Sequence, residues 1–152
     1  MSCAKAIGGA LTINTTLTIL DIEGDKILDE GAKAIADALK IKRTVTTLNV
    51  SDNNISDLGA KAITDAVRIN TAVKTLDIQR NKISDGGIRP IADAVKMNRA
   101  VTAVNVSDNN ISDVGSKTVA DTWEMNSNIS LCVEKQFVGY RLTEKFNVHL
   151  PE

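Results

Sequence analysis

Aromatic side chains make up only 3% of this 152-residue chain: Trp123, Phe137, Tyr140 and Phe146. A core so poor in rings has to be built from Leu, Ile, Val and Ala, which suits a small packing unit used many times. An excess of one charge is also missing. With 18 basic against 19 acidic residues, there is no electrostatic case for nucleic acid or for an anionic membrane. Histidine is nearly absent. His149 has no second histidine to share a metal with and no Ser or Cys placed to use it as a base, so no catalytic constellation forms. Neither GxGxxG nor GxxxxGK[ST] occurs, which removes the usual phosphate cradles. Asp52, Asn54 and Asp57 fall short of the six to eight oxygens of a calcium cage. No apolar run approaches the roughly 20 residues that span a bilayer. The start, MSCAKAIGGALTI, has Lys5 inside its apolar run and does not read as a secretion signal. Without such a signal, triplets such as Asn54-Ile55-Ser56 are not glycosylation sites. Cys3 and Cys132 stand near opposite ends. In an elongated body their Cα atoms could not come within the roughly 7 Å a disulfide needs, so they read as reduced thiols of an intracellular, cytoplasmic protein.

What the chain does have is a repeat. The stretch LNVSDNNISDLG from Leu48 returns as LDIQRNKISDGG from Leu76 and VNVSDNNISDVG from Val104, with a weaker copy, LDIEGDKILDEG, from Leu20. The starts step by 28 residues each time. Each unit opens on a short run, such as Val45 to Val50, whose apolar residues alternate, which predicts a strand with one buried face. Asp52-Asn53-Asn54 is turn chemistry. Ser56-Asp57 offers a hydroxyl or a carboxylate to cap a helix, and Ala60, Ile63, Ala66 and Val67 form its apolar stripe up to about Ile69. Residues 3–16 match the back half of a unit, so the chain enters the array on a helix, either an improvised cap or part of something longer. Residues 17–128 hold four units. From Asn126 the register fails, and residues 129–152 read as a C-terminal cap with a closing strand near 129–134, then a helix or a second strand. Six or so aliphatic side chains at about 1.5–3 kcal/mol each cannot offset about 1–2 kcal/mol per ordered residue, so a unit folds only against its neighbours.

The string Val45-x-x-Leu48-x-Val50-x-x-Asn53-x-Ile55 resembles the leucine-rich repeat core LxxLxLxxNxL, and the following Asp57-x-Gly59-Ala60 and long helix resemble the ribonuclease-inhibitor-like subfamily. Val73 to Ile83 and Val101 to Ile111 repeat the pattern, while Leu17 to Ile27 carries Asp25 at the asparagine position. The resemblance implies an α/β right-handed solenoid arc with a parallel sheet on its concave face and helices on its convex face. It also implies protein–protein recognition rather than catalysis.

Asn53, Asn81 and Asn109 read as structural, since an amide can both donate to and accept from the backbone of neighbouring turns. Gly31, Gly59, Gly87 and Gly115 read as close packing or a turn. The pairs Lys33/Asp37, Lys61/Asp65, Arg89/Asp93 and Lys117/Asp121 read as a solvated convex face with weak ion pairs. Cys132 falls at a core-facing strand position or its neighbour. Strand alternation points Ile19, Asp21 and Glu23 outward, followed by Thr47, Asn49 and Ser51, then Thr75, Asp77 and Gln79, and lastly Ala103, Asn105 and Ser107. The candidate partner-binding residues are therefore Asp21, Glu23, Asn49, Ser51, Asp77, Gln79, Arg80, Asn105 and Ser107. The four aromatics should fill the cap, with some left for a partner or for weak self-association of an otherwise monomeric chain. The expected function is a non-enzymatic module that binds a protein partner on the concave face and its rim, without cofactor or metal. The alternative is a regulatory or sensor part of a larger leucine-rich repeat protein, such as a small-GTPase activator or an innate-immune-type receptor.

Overall fold

Leu20, Leu48, Leu76 and Val104 are each the buried middle residue of a three-residue strand whose flanking side chains lie on the other face. The computed structural model describes residues 3–124 and 129–132. In order these form α1 (Cys3–Ile13), β1 (Ile19–Asp21), α2 (Leu28–Ile41), β2 (Thr47–Asn49), α3 (Asp57–Ile69), β3 (Thr75–Asp77), α4 (Asp85–Met97), β4 (Ala103–Asn105), α5 (Asp113–Glu124) and β5 (Ser130–Cys132). The five strands make one parallel sheet in sequence order. From β1 to β4 the partners are 28 residues apart, as in Leu20, Leu48, Leu76 and Val104. Strands stack about 4.8 Å apart and helices about 8–10 Å apart, so the array must bend with its sheet inside. The result is an α/β leucine-rich repeat solenoid, sheet concave and helices convex.

The closing strand is β5. Val104 pairs with Leu131 and Asn105 with Cys132, a step of 27. Cys132 thus sits in register with the outward-facing position rather than the core-facing one. The remainder of the expected cap, with Phe137, Tyr140, Phe146 and His149, lies outside the described residues, as does the side chain of Trp123.

Between sheet and helices runs one aliphatic core, from Leu11 through Ile35, Leu48, Ile63, Leu76 and Ile91 to Val104, Val119 and Ile129. Polar groups cross it in ladders. Asn53 donates its amide to Ile22 O (2.8 Å) and Ser51 O (2.9 Å) and accepts from Ile27 N (3.1 Å). Asn81 repeats the pattern one unit on, and Asn109 follows. A second ladder, not anticipated from the sequence, lies at the helix ends. Asn70 donates to Leu39 O (2.7 Å) and Lys42 O (2.8 Å) and accepts from Ala72 N and Val73 N. Asn98 does the same against Val67 and Asn70.

A third ladder joins the helix N-termini and corrects the role expected of Asp57. The hydroxyl of Ser56 caps its own helix by accepting from Leu58 N (3.2 Å). The Asp57 carboxylate turns away to the next unit, accepting from Ser84 N (2.7 Å) and Ser84 Oγ (2.5 Å). Asp29 reaches Ser56 and Gly59 N in the same way, and Asp85 reaches Ser112. These links explain the glycines: a Cβ on Gly59 or Gly87 would fall 2.5 Å from the Asp29 or Asp57 oxygen. Leu28 stands where later units have the serine. It is half exposed with φ +56°, and α2 has no side-chain cap. Of the expected convex ion pairs, Lys61–Asp65 closes at 3.1 Å, whereas Asp37 is taken by Lys40 at 2.8 Å.

Candidate functional site

The exposed face of the sheet carries a row of amides and carboxylates fixed by neighbouring strands. Asn49 Nδ2 donates to Asp21 Oδ1 (3.1 Å), and Asn105 Nδ2 donates to Asp77 Oδ2 (3.1 Å). Asp77 Oδ1 also accepts from Gln79 N (3.0 Å), and Asp21 Oδ1 from Glu23 N (3.2 Å). At the rim Arg80 spans three units. Its Nη1 lies 3.6 Å from Glu23 Oε1, and its Nε lies 3.9 Å from Asp108 Oδ2. All three side chains remain about half exposed, so each pair contributes at most a few tenths of a kcal/mol to folding.

Seven of the nine expected partner residues lie on this surface; Ser51 and Ser107 do not. Ser51 is fully buried and Ser107 nearly so. The strand ends at Asn49, and the chain turns at Asp52, where φ is +54°. Ser51 therefore folds back, and both its N–H (3.0 Å) and its hydroxyl (2.7 Å) donate to Asn49 Oδ1. Asn49 is in turn held on both ends of its amide and presents less to a partner than alternation suggested. Asp108 was missed by the alternation argument. The signal was in its column, where Gly24, Asp52 and Asp108 surround the single cation Arg80.

Asp77 is electrostatically the most loaded residue of the face. Burial pushes its carboxyl above the ordinary range; the Gln79 N–H and the Asn105 amide oppose that, Glu23 adds to it, and Arg80 relieves it. A raised native pKa means the folded state holds the proton more tightly than the unfolded chain. The group's contribution is therefore most favourable at low pH and declines as pH rises through the raised value. Asp77→Asn should raise stability slightly at about pH 7, because it removes the burial cost of the ionised carboxyl. That gain should disappear at about pH 3, where the wild-type carboxyl is protonated in both states. Urea midpoints at the two pH values measure it, and a gain equal at both would exclude ionisation of Asp77 as the cause.

Among the described residues no group of three His, Cys, Asp or Glu side chains could hold a metal, and no helix is long and apolar enough to cross a membrane. The arrangement offers hydrogen-bonding and charged groups on a stiff curved sheet, the layout of a repeat solenoid that works by surface contact. The chain belongs to the leucine-rich repeat family: the sequence profile described as "Leucine Rich repeat" matches residues 14–36, 42–63, 70–92 and 98–120. Among solved structures, the chain is similar to the leiomodin-1 actin-binding site 2 (TM-score 0.80, 17% identity, covering 90% of this chain and 82% of that one). It is also similar to the tropomodulin C-terminal domain of Caenorhabditis elegans (TM-score 0.77, 10% identity, covering 90% and 85%). At these identities the likeness is one of fold. No curated protein matches the sequence.

Proposed function

We propose that this chain is a non-enzymatic protein-binding module that engages its partner through the concave face and rim, centred on Glu23, Asp77 and Arg80. The observation that carries this reading is the half-buried Asp77, a carboxyl whose pKa burial raises, at the middle of the sheet, with Arg80 bridging Glu23 and Asp108 beside it. None of these groups is needed for the core. They lie where the four units differ from one another, and specificity has to come from such differences. Asp21, Asn49, Gln79 and Asn105 would supply the surrounding polar contacts. Actin is the first partner to assay, because a solved domain of the same fold is an actin-binding site.

The triple variant Glu23→Lys, Asp77→Lys, Arg80→Glu is expected to weaken partner binding at least about 100-fold, since like charges placed across an interface cost several kcal/mol. Titration of labelled actin, and comparison of proteins captured from lysate by the wild type and by the variant, read this out. If every captured protein binds the folded variant as well as the wild type, the concave assignment is wrong. If actin alone fails to bind, only that partner is excluded.

A further inference from the structure

The long edge of the solenoid at the helix C-termini carries a feature the concave face does not explain. Ile13, Ile41, Ile69 and Met97 are the last residues of α1, α2, α3 and α4 and recur every 28 positions. They are 81%, 73%, 51% and 74% exposed. Single exposed apolar residues need no explanation, but here one stands at the same place on four successive helices and forms a ridge along the edge.

Beyond the helix ends, on the strand side of the ridge, the charge is of one sign. The connections that follow α2, α3 and α4, residues 42–46, 70–74 and 98–102, contain four Lys and Arg and no Asp or Glu, while the last helical turns add Lys40, Arg68 and Lys96 with Asp37, Asp65 and Asp93 one turn further back. On the opposite edge, residues 21–30, 49–58, 77–86 and 105–114 contain eleven acidic and three basic residues. A chain that is almost neutral as a whole is thus divided lengthwise into a basic edge and an acidic one. The helix dipole accounts for a cation in the last turn, such as Arg68. It does not account for Arg43 and Arg99, which are exposed beyond the helix ends, nor for the apolar ridge between the cations.

We propose that this edge docks an acidic amphipathic α-helix of a protein partner. Neighbouring helices packed about 8–10 Å apart place four ridge side chains along roughly 24–30 Å. An α-helix advances about 10.5 Å in seven residues, so one apolar stripe at heptad spacing meets each gap in the ridge in turn. About 20 residues of helix cover its length. Acidic residues on the strand side of that stripe then face Arg43 and Arg99. An anionic bilayer shares the complementary charge, but the ridge offers it only one apolar side chain per helix end rather than a continuous face. The contact is small, so binding is weak and salt-sensitive.

The test uses the full chain and a synthetic helix of three heptads with leucine at the first and fourth positions and glutamate beside them. Fluorescence anisotropy is expected to show binding that falls about tenfold or more in Ile41→Ser/Ile69→Ser and, separately, in Arg43→Glu/Arg99→Glu. Both pairs are exposed and should leave the melting temperature near that of the wild type. The concave triple variant should bind the helix normally, which separates this site from the face assigned above. The proposal is overturned if the helix does not bind, if neither edge pair weakens it, or if the concave variant abolishes it. It is overturned equally if phosphatidylserine vesicles bind the edge and the helix does not, or if the edge instead pairs two copies of the chain in sedimentation.

Discussion

Asn81→Ala is expected to lower the unfolding free energy by about 3–5 kcal/mol, which places it among the most damaging single changes open to this chain. The Asn81 side chain accepts from Asn53 N (3.1 Å) and Ile55 N (2.9 Å) and donates to Val50 O (3.1 Å), Ile78 O (3.0 Å) and Gln79 O (3.1 Å). All but the last of these contacts are fully buried, and alanine leaves two N–H groups with no acceptor at about 1–3 kcal/mol each. Asn81→Asp separates the two halves of the role: a carboxylate still accepts from both N–H groups but donates nothing to the three carbonyls. It should fall between alanine and wild type. Asn110→Ala, at an exposed turn position, should cost under about 0.5 kcal/mol. Urea unfolding at constant m-value gives all three numbers. A loss below about 1 kcal/mol for Asn81→Ala would mean that water enters and takes over the ladder.

Gly87→Ala is expected to cost about 2–4 kcal/mol, opposite in sign to the general rule. Replacing an exposed glycine within a helix by alanine ordinarily gains about 0.5–1 kcal/mol, and Gly9→Ala in α1, with nothing within 4 Å of the new Cβ, should show that gain. At Gly87 the Cβ would stand 2.5 Å from Asp57 Oδ1 and 2.7 Å from Ile83 Cγ2. The carboxylate has to retreat, and its bonds to Ser84 go with it. If that oxygen is the obstacle, Gly87→Ala and Asp57→Ala together should cost less than the sum of the two single changes. Thermal or urea unfolding that finds Gly87→Ala as stabilising as Gly9→Ala would refute the account.

The strands and the Asn53 ladder were legible because each shows in one unit read alone, and the 28-residue register because the copies overlay one another. Alternation around Leu48 gives the strand, and an asparagine in a turn between apolar residues gives the ladder. What escaped were contacts in which one unit completes the next. Ser56 looked able to cap its helix and does so, but Asp57 belongs to Ser84, a partner 27 residues on. The hint was that the columns of Asp29, Asp57 and Asp85, of Ser56, Ser84 and Ser112, and of the glycines from Gly59 onward hold the same residue at every step. Ser51 and Ser107 were misplaced for a local reason: alternation was carried two residues past a strand that ends at Asn49 and Asn105. The exposed Ile69 reads from the sequence only as a helix end, and Ile41 and Met97 hold its place in the neighbouring units. Nothing in a helical stripe says which side of a terminal residue faces water until the neighbouring helices are in place.

The three ladders have a mechanical consequence. The first three units are joined to one another along three separate lines: at the turn after the strand by Asn53 and Asn81, at the helix ends by Asn70 and Asn98, and at the helix starts by Asp29 and Asp57. Two such lines would leave a hinge axis about which the arc could open and close. A third line off that axis removes it. Across those three units the sheet then behaves as a caliper of set gap, and any partner of mismatched curvature must do the bending itself.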